Sequence, residues 1–180
     1  MWFNIIKALQ RIALSKNDKI IKGNTRQREG FKPRGLWYSF SLGSGWMQRN
    51  ITDYGWLRSY KYILYLDTSQ LNILQIKNLE DAKGFYEKFG LKTSPHRVLA
   101  KWDIVAQTYD GVELLNYESW VRPVYSVSED EDALMDMFYG WDMDSGCIWN
   151  TQNLEVKKVK PLEQRHYDKE DKERNRWGTM

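Results

Sequence analysis

Lys32-Pro33-Arg34-Gly35-Leu36-Trp37-Tyr38-Ser39 is the stretch on which the reading of this chain turns. Pro33 fixes the backbone on the approach, and Gly35 permits a close backbone contact. Residues 35–41 (GLWYSFS) are rich in β-formers and are bounded by Pro33 and by the Gly43/Gly45 pair, so they read as a strand. Strand alternation puts Trp37 and Ser39 on one side, Leu36 and Tyr38 on the other. Either side offers a ring and a hydroxyl, and only one can face a cleft. With Tyr38 toward the cleft, Leu36 would sit at the apolar end of the pocket and Trp37 would fill the core behind. The same residues also suit an ordinary core strand.

Working outward, residues 61–66 (KYILYL) and 71–76 (LNILQI) read as strands, and 19–22 (KIIK) as a short one. Leu79, Ala82, Phe85, Tyr86 and Phe89 share the face of a helix begun by Asn78 and stopped by Gly90 at a C′ position. Residues 102–107 are helical or extended, Tyr109-Asp110-Gly111 is a turn, and 112–117 (VELLNY) is a strand. Residues 46–57 allow a short helix, and 128–132 (SEDED) form an acidic loop or helix start. At the N-terminus, Trp2, Ile5, Ile6, Leu9, Ile12 and Ala13 recur at helical spacing, which predicts an amphipathic helix over residues 1–14. From Glu155 onward the mixed charge predicts a solvated, fraying end. One domain over residues 1–162 with a charged tail over 163–180 is the expected organisation.

The 180-residue length suits a single domain. Nine Trp and eleven Tyr can fill a small core, provided their N–H and O–H groups find partners, and they also suit a pocket that stacks a planar ring. A net charge of +3 is too mild to demand nucleic acid. The single Cys147 excludes an internal disulfide framework and a multi-cysteine zinc site, and a reducing cytoplasm is the expected location. No apolar run approaches the roughly 18 residues of a membrane span, so no membrane partner is expected.

Glu113 stands out in its strand: a carboxylate among Val112, Leu114 and Leu115 either faces solvent or has a partner. At the rim of a cleft it would accept a ribose hydroxyl and stabilise positive charge developing on that sugar.

The order of these features resembles the ADP-ribosyltransferase superfamily, closest to small phage-type proteins with a KP-x-GLW-x-S strand and a late WD-x-x-SGCIW segment. A strand ending in Lys22-Gly23 precedes a loop, then the Gly-Leu-Trp-Tyr-Ser strand, then a glutamate-bearing strand. The likeness spans roughly residues 20–150. It implies an α+β fold with a mixed/antiparallel two-sheet core. It also implies NAD binding and transfer of ADP-ribose to a protein or nucleic-acid acceptor, in the host cytoplasm if the chain is viral. Glu113 and Tyr38 (or Ser39) would be catalytic, and Lys22, Gly23, Trp37 and Ser39 would bind NAD. The family carries an Arg or His on its first strand. Here Lys22 stands just before Gly23, and Gly111 stands two residues before Glu113 in place of the paired Gln/Glu of the arginine- and base-modifying branches.

Other readings compete with this one. The basic residues Lys22, Arg26, Arg28, Lys32 and Arg34 suit a module that binds a nucleotide or oligonucleotide without catalysis. An aromatic surface would suit a phage protein that inhibits a host factor. Asp142 and Asp144 lack the glycine and terminal glutamate of a calcium loop, and His96 and His166 are too far apart to suggest a pair, so no metal is expected.

Overall fold

The computed structural model describes residues 10–40, 59–94, 97–121, 134, 136–138, 140–141 and 143–162. The expected helix at 46–57 and the acidic segment at 128–132 lie outside them, as do residues 1–9 and the expected tail at 163–180.

The elements run β1 (Arg11–Ser15), β2 (Leu36–Ser39), β3 (Tyr62–Asp67), β4 (Ile73–Ile76), helix α1 (Leu79–Phe89), β5 (Gly90–Ser94), β6 (Arg97–Ala100), α2 (Trp102–Val105), β7 (Gly111–Leu114), α3 (Tyr117–Val121), β8 (Ser145–Ile148) and β9 (Glu155–Pro161). Seven strands form one sheet in the order β4-β7-β8-β2-β1-β3-β9, and β5 and β6 form a separate hairpin. Only β4 and β7 are parallel, joined through α1, the hairpin and α2. The α+β class is therefore as expected, with a mostly antiparallel, mixed sheet.

Each face of the sheet carries its own core. On one face Val112, Leu114, Cys147 and Trp37 meet α1, α2, α3 and a cluster of aromatic rings. On the other, Ala13, Tyr38, Leu64, Leu66, Ile148 and Leu154 pack together. The buried tryptophans satisfy their indole N–H groups on backbone carbonyls: Trp102 donates to Gly30 at 2.9 Å, Trp120 to Leu115 at 3.0 Å, Trp141 to Phe31 at 3.2 Å and Trp149 to Tyr109 at 2.6 Å.

Helix α1 begins as expected. The Asn78 side chain accepts the Asp81 N–H at 2.9 Å, and the Asp81 carboxylate reaches back to the Lys77 N–H at 2.9 Å. Gly90 ends it in extended backbone (φ −68°), not in the left-handed C′ conformation, because the chain passes straight into β5.

Four further expectations are corrected. Residues 11–15 form β1, not the end of an amphipathic helix. Ile12 and Leu14 enter one buried cluster and Ala13 another, so a strand with both faces covered reads as a continuous apolar run that helical spacing also fits. Residues 19–22 do not pair as a strand, and Ile21 is 84% exposed. Strand β7 stops at Leu114: Asn116 adopts a left-handed φ of 54°, and the Asp144 carboxylate accepts the Asn116 and Tyr117 N–H groups, which starts α3. Finally, residues 155–161 form β9, an edge strand whose backbone pairs with β3 while four of its seven side chains are lysine or glutamate.

Candidate functional site

Glu113 lies in β7 with β4 on one side and β8 on the other, and its side chain is fully buried. Register explains its company. Gln75 is its parallel partner on β4, Gly146 its antiparallel partner on β8, and Gly146 is in turn opposite Tyr38 on β2. Tyr38 pairs with Ala13 on β1, and Arg11, two residues earlier, shares its face. One row across four neighbouring strands therefore carries an amide, a carboxylate, no side chain, a phenol and, beyond it, a guanidinium.

The gap at Gly146 is what lets this row close. A Cβ at Gly146 would overlap the Tyr38 ring and hydroxyl, so the phenol lies across the glycine and reaches the neighbouring strand. Tyr38 O–H donates to Glu113 Oε1 at 2.7 Å. Arg11 donates from Nε to Oε1 at 2.5 Å and from Nη2 to Oε2 at 3.2 Å. Gln75 Nε2 donates to Oε2 at 2.9 Å. Each carboxylate oxygen thus accepts two hydrogen bonds, the full capacity of the group.

The electrostatics follow from this geometry. Burial, then the adjacent Glu113 charge and hydrogen bond, push the Tyr38 phenol well above its ordinary pKa. Burial opposes the charge on Arg11, but the Glu113 hydrogen bond and charge outweigh it and hold the guanidinium above its ordinary value. Removing one member of such a pair leaves an uncompensated buried charge.

The structure brings Glu113 and Tyr38 together and separates the other expected residues from them. Glu113 is neither on a wet face nor at an open rim. Trp37 and Ser39 point to the opposite face of β2, where Trp37 rests 4.8 Å (ring centroids) from Trp141 with Lys32 Nζ 5.2 Å from its ring. Lys22 and Gly23 belong to a different corner. Lys22 Nζ donates to the Leu154 carbonyl, Gly23 N–H donates to Thr151 Oγ1 at 3.0 Å, and Asn24 bridges to Asn150. Asn150 is four residues along from Gly146, about 13 Å at strand rise. They brace the turn between β8 and β9. Arg11 and Gln75 are the partners that sequence reasoning missed. Arg11 was hidden by the helical reading of residues 1–14, and Gln75 by being an unremarkable polar residue in an alternating strand.

Cys147 is buried and its thiol is pushed far up by burial, which leaves it a packing residue. No described helix is long and apolar enough to cross a membrane. No family model, no curated protein and no solved structure matches the chain.

Proposed function

We propose that the chain is an ADP-ribosyltransferase-like domain that binds NAD and transfers ADP-ribose to a macromolecule, with Glu113, Tyr38 and Arg11 as its polar centre. The observation that carries this reading is the convergence of Arg11 from β1, Tyr38 from β2 and Glu113 from β7 on one buried carboxylate. The resemblance asks for a basic residue on the first strand, a hydroxyl on the second and a glutamate on a late one. Arg11 meets the first requirement, which Lys22 did not.

The residues fit a sugar-directed chemistry. NAD supplies an activated glycosidic bond whose cleavage leaves positive charge on the ribose. A carboxylate oriented by fixed donors is suited to stabilise such charge. Arg11 and Tyr38 hold Glu113 in one orientation, and Arg11, 22% exposed, is the charged group at the margin of the cluster. Because both Glu113 oxygens are saturated, a ribose hydroxyl would have to displace one of the present donors. That saturation favours a second reading, a nucleotide-binding domain without transfer.

Incubation of the whole chain with NAD should release free nicotinamide, and Glu113→Gln should reduce the rate at least a hundredfold while circular dichroism confirms that it folds. Calorimetric titration separates the two readings. NAD binding without nicotinamide release would leave the binding domain and remove the transferase, and absence of both would remove the NAD assignment altogether.

A further inference from the structure

The loop from Asn24 to Arg34 takes no part in the hydrogen bonds of the Glu113 cluster. Its backbone is pinned along its length: Thr25 N–H donates to the Trp149 carbonyl at 2.8 Å, and Gly30 exchanges two 3.1 Å hydrogen bonds with Ala100. Gln27 is the internal staple. It is 8% exposed, its amide donates to the Thr25 carbonyl at 2.7 Å and the Arg34 carbonyl at 2.8 Å, and its oxygen accepts the Arg34 N–H at 2.9 Å.

Arg26 and Arg28, on either side of this buried glutamine, are exposed. Gln27 also ties Arg34 in beside them by its main chain. All three arginines are exposed and line an open cleft of about 750 Å³. Among the described residues none of the three takes part in an ion pair. Three exposed guanidiniums in one concavity, carried on a backbone that the loop's own hydrogen bonds hold, form a candidate anion site. Residues 22–34 hold five cations and one anion, in a chain whose whole net charge is +3. The rest of the chain is close to neutral in sum, so this segment accounts for the chain's net positive charge.

We infer that this cleft grips the phosphodiester backbone of a nucleic-acid strand. The lining selects the occupant. It contains no aromatic side chain, and Ala106 is its one apolar residue, so the cleft offers neither the apolar enclosure of a small-molecule pocket nor a platform for stacking bases. Arginine forks match phosphate oxygens two at a time. Arg26 and Arg28, two residues apart, are spaced about 7 Å at extended-chain rise, which suits a regularly repeating anion. Asn24, Thr25 and Gln107 add neutral polar groups to the lining, suited to sugar oxygens. Asp103 and Glu29 also line the cleft and oppose the binding of an anion there. Binding of this kind is indifferent to base sequence. The inference does not depend on the NAD reading.

Fluorescence anisotropy with labelled single-stranded RNA, single-stranded DNA and duplex DNA of mixed sequence, over a salt series, tests it on the full chain. At least one strand form should bind, equally well for two unrelated sequences, and the tightest arm names the form. R26Q/R28Q/R34Q should weaken binding tenfold or more and reduce the slope of log affinity against log salt by about 2, since each cation contributes about 0.7 on a single strand. Asp103→Asn, at an exposed position, should do the opposite and tighten binding. It keeps the test open even if the triple variant folds poorly. Absence of binding in all three arms would overturn the inference. So would an unchanged salt slope in the triple variant, weaker binding by Asp103→Asn, or equal binding of polyglutamate of matched charge.

Discussion

Tyr38 shows how one missing side chain sets the chemistry of a neighbour. Because Gly146 leaves its place in the row empty, the phenol lies over β8, is shut from water and meets the Glu113 carboxylate. Its folded-state pKa is raised above the unfolded value, so its contribution to stability is complete below about pH 10, the ordinary tyrosine value. Above that pH the unfolded chain releases the proton while the native chain keeps it, and stability falls. Denaturant midpoints measured from pH 8 to 11 should therefore decline more steeply for the native sequence than for Tyr38→Phe. Parallel curves would show that the phenol titrates alike in both states. Glu113 and Tyr38 were legible in the sequence because a lone carboxylate in an apolar strand and a ring-bearing strand after a glycine are each unusual. Arg11 was not, because nothing in Arg11-Ile12-Ala13-Leu14 distinguishes a strand covered on both faces from a helix turn.

Among the elements, β9 carries the clearest lesson about charge. Lys157, Lys158, Lys160 and Glu155 gave residues 155–161 the look of a solvated end, yet the backbone pairs with β3 from Tyr62↔Pro161 to Asp67↔Glu155, with one register shift between Tyr65 and Leu66. Charged side chains on an edge strand are compatible with pairing on one side and discourage further pairing on the other. Lys157 also bonds Asp67 at 2.8 Å, and hydrogen bonds from Lys157 and Ser69 lower the Asp67 carboxyl to about 2. Ending the chain after Leu154 uncovers the β3 edge and removes the contact of Val156 with the Tyr38-side core. We expect such a truncation to lower the thermal midpoint by several degrees, since about 1 kcal/mol corresponds to about 2–4 °C at this size. An unchanged melt would mean that β9 contributes nothing to stability. Helix α1, by contrast, was readable at its start and along its buried face, because capping chemistry at Asn78 and an apolar face at 3.6-residue spacing are both local signals.

At the scale of the whole molecule, the sheet divides the chain into a structural side and a polar side. Trp37 and its ring cluster lie on one face, the Glu113 network on the other, and β2 serves both by alternation. Trp37→Ala should cost about 3 kcal/mol of folding free energy, as truncation of large core rings does. It should leave NAD affinity within twofold of the native value. Denaturant melts and calorimetric titration measure the two quantities, and a variant that folds normally but loses NAD would place the ligand on the aromatic face. The α+β class could be read from the sequence, since strand and helix patterns alternate irregularly along it. Strand order could not, because β8 joins β7 and β2 from more than a hundred residues beyond β2, and no local pattern encodes such a pairing.

The position of β8 also bears on how the chain is made. Leaving the ribosome from the N-terminus, β2, β1 and β3 can assemble early, and β4 can later meet β7, but these two groups have no strand between them until residues 145–148 have emerged. Gly146 arrives last into the row that already contains Tyr38 on one side and Glu113 on the other. The carboxylate and the phenol are thus synthesised before the strand that joins their parts of the sheet, and the buried ion pair closes only once β8 is in place. Such late, long-range closure is slow relative to local helix formation. It makes the interval before β8 emerges the one in which the nascent chain most needs protection from other chains.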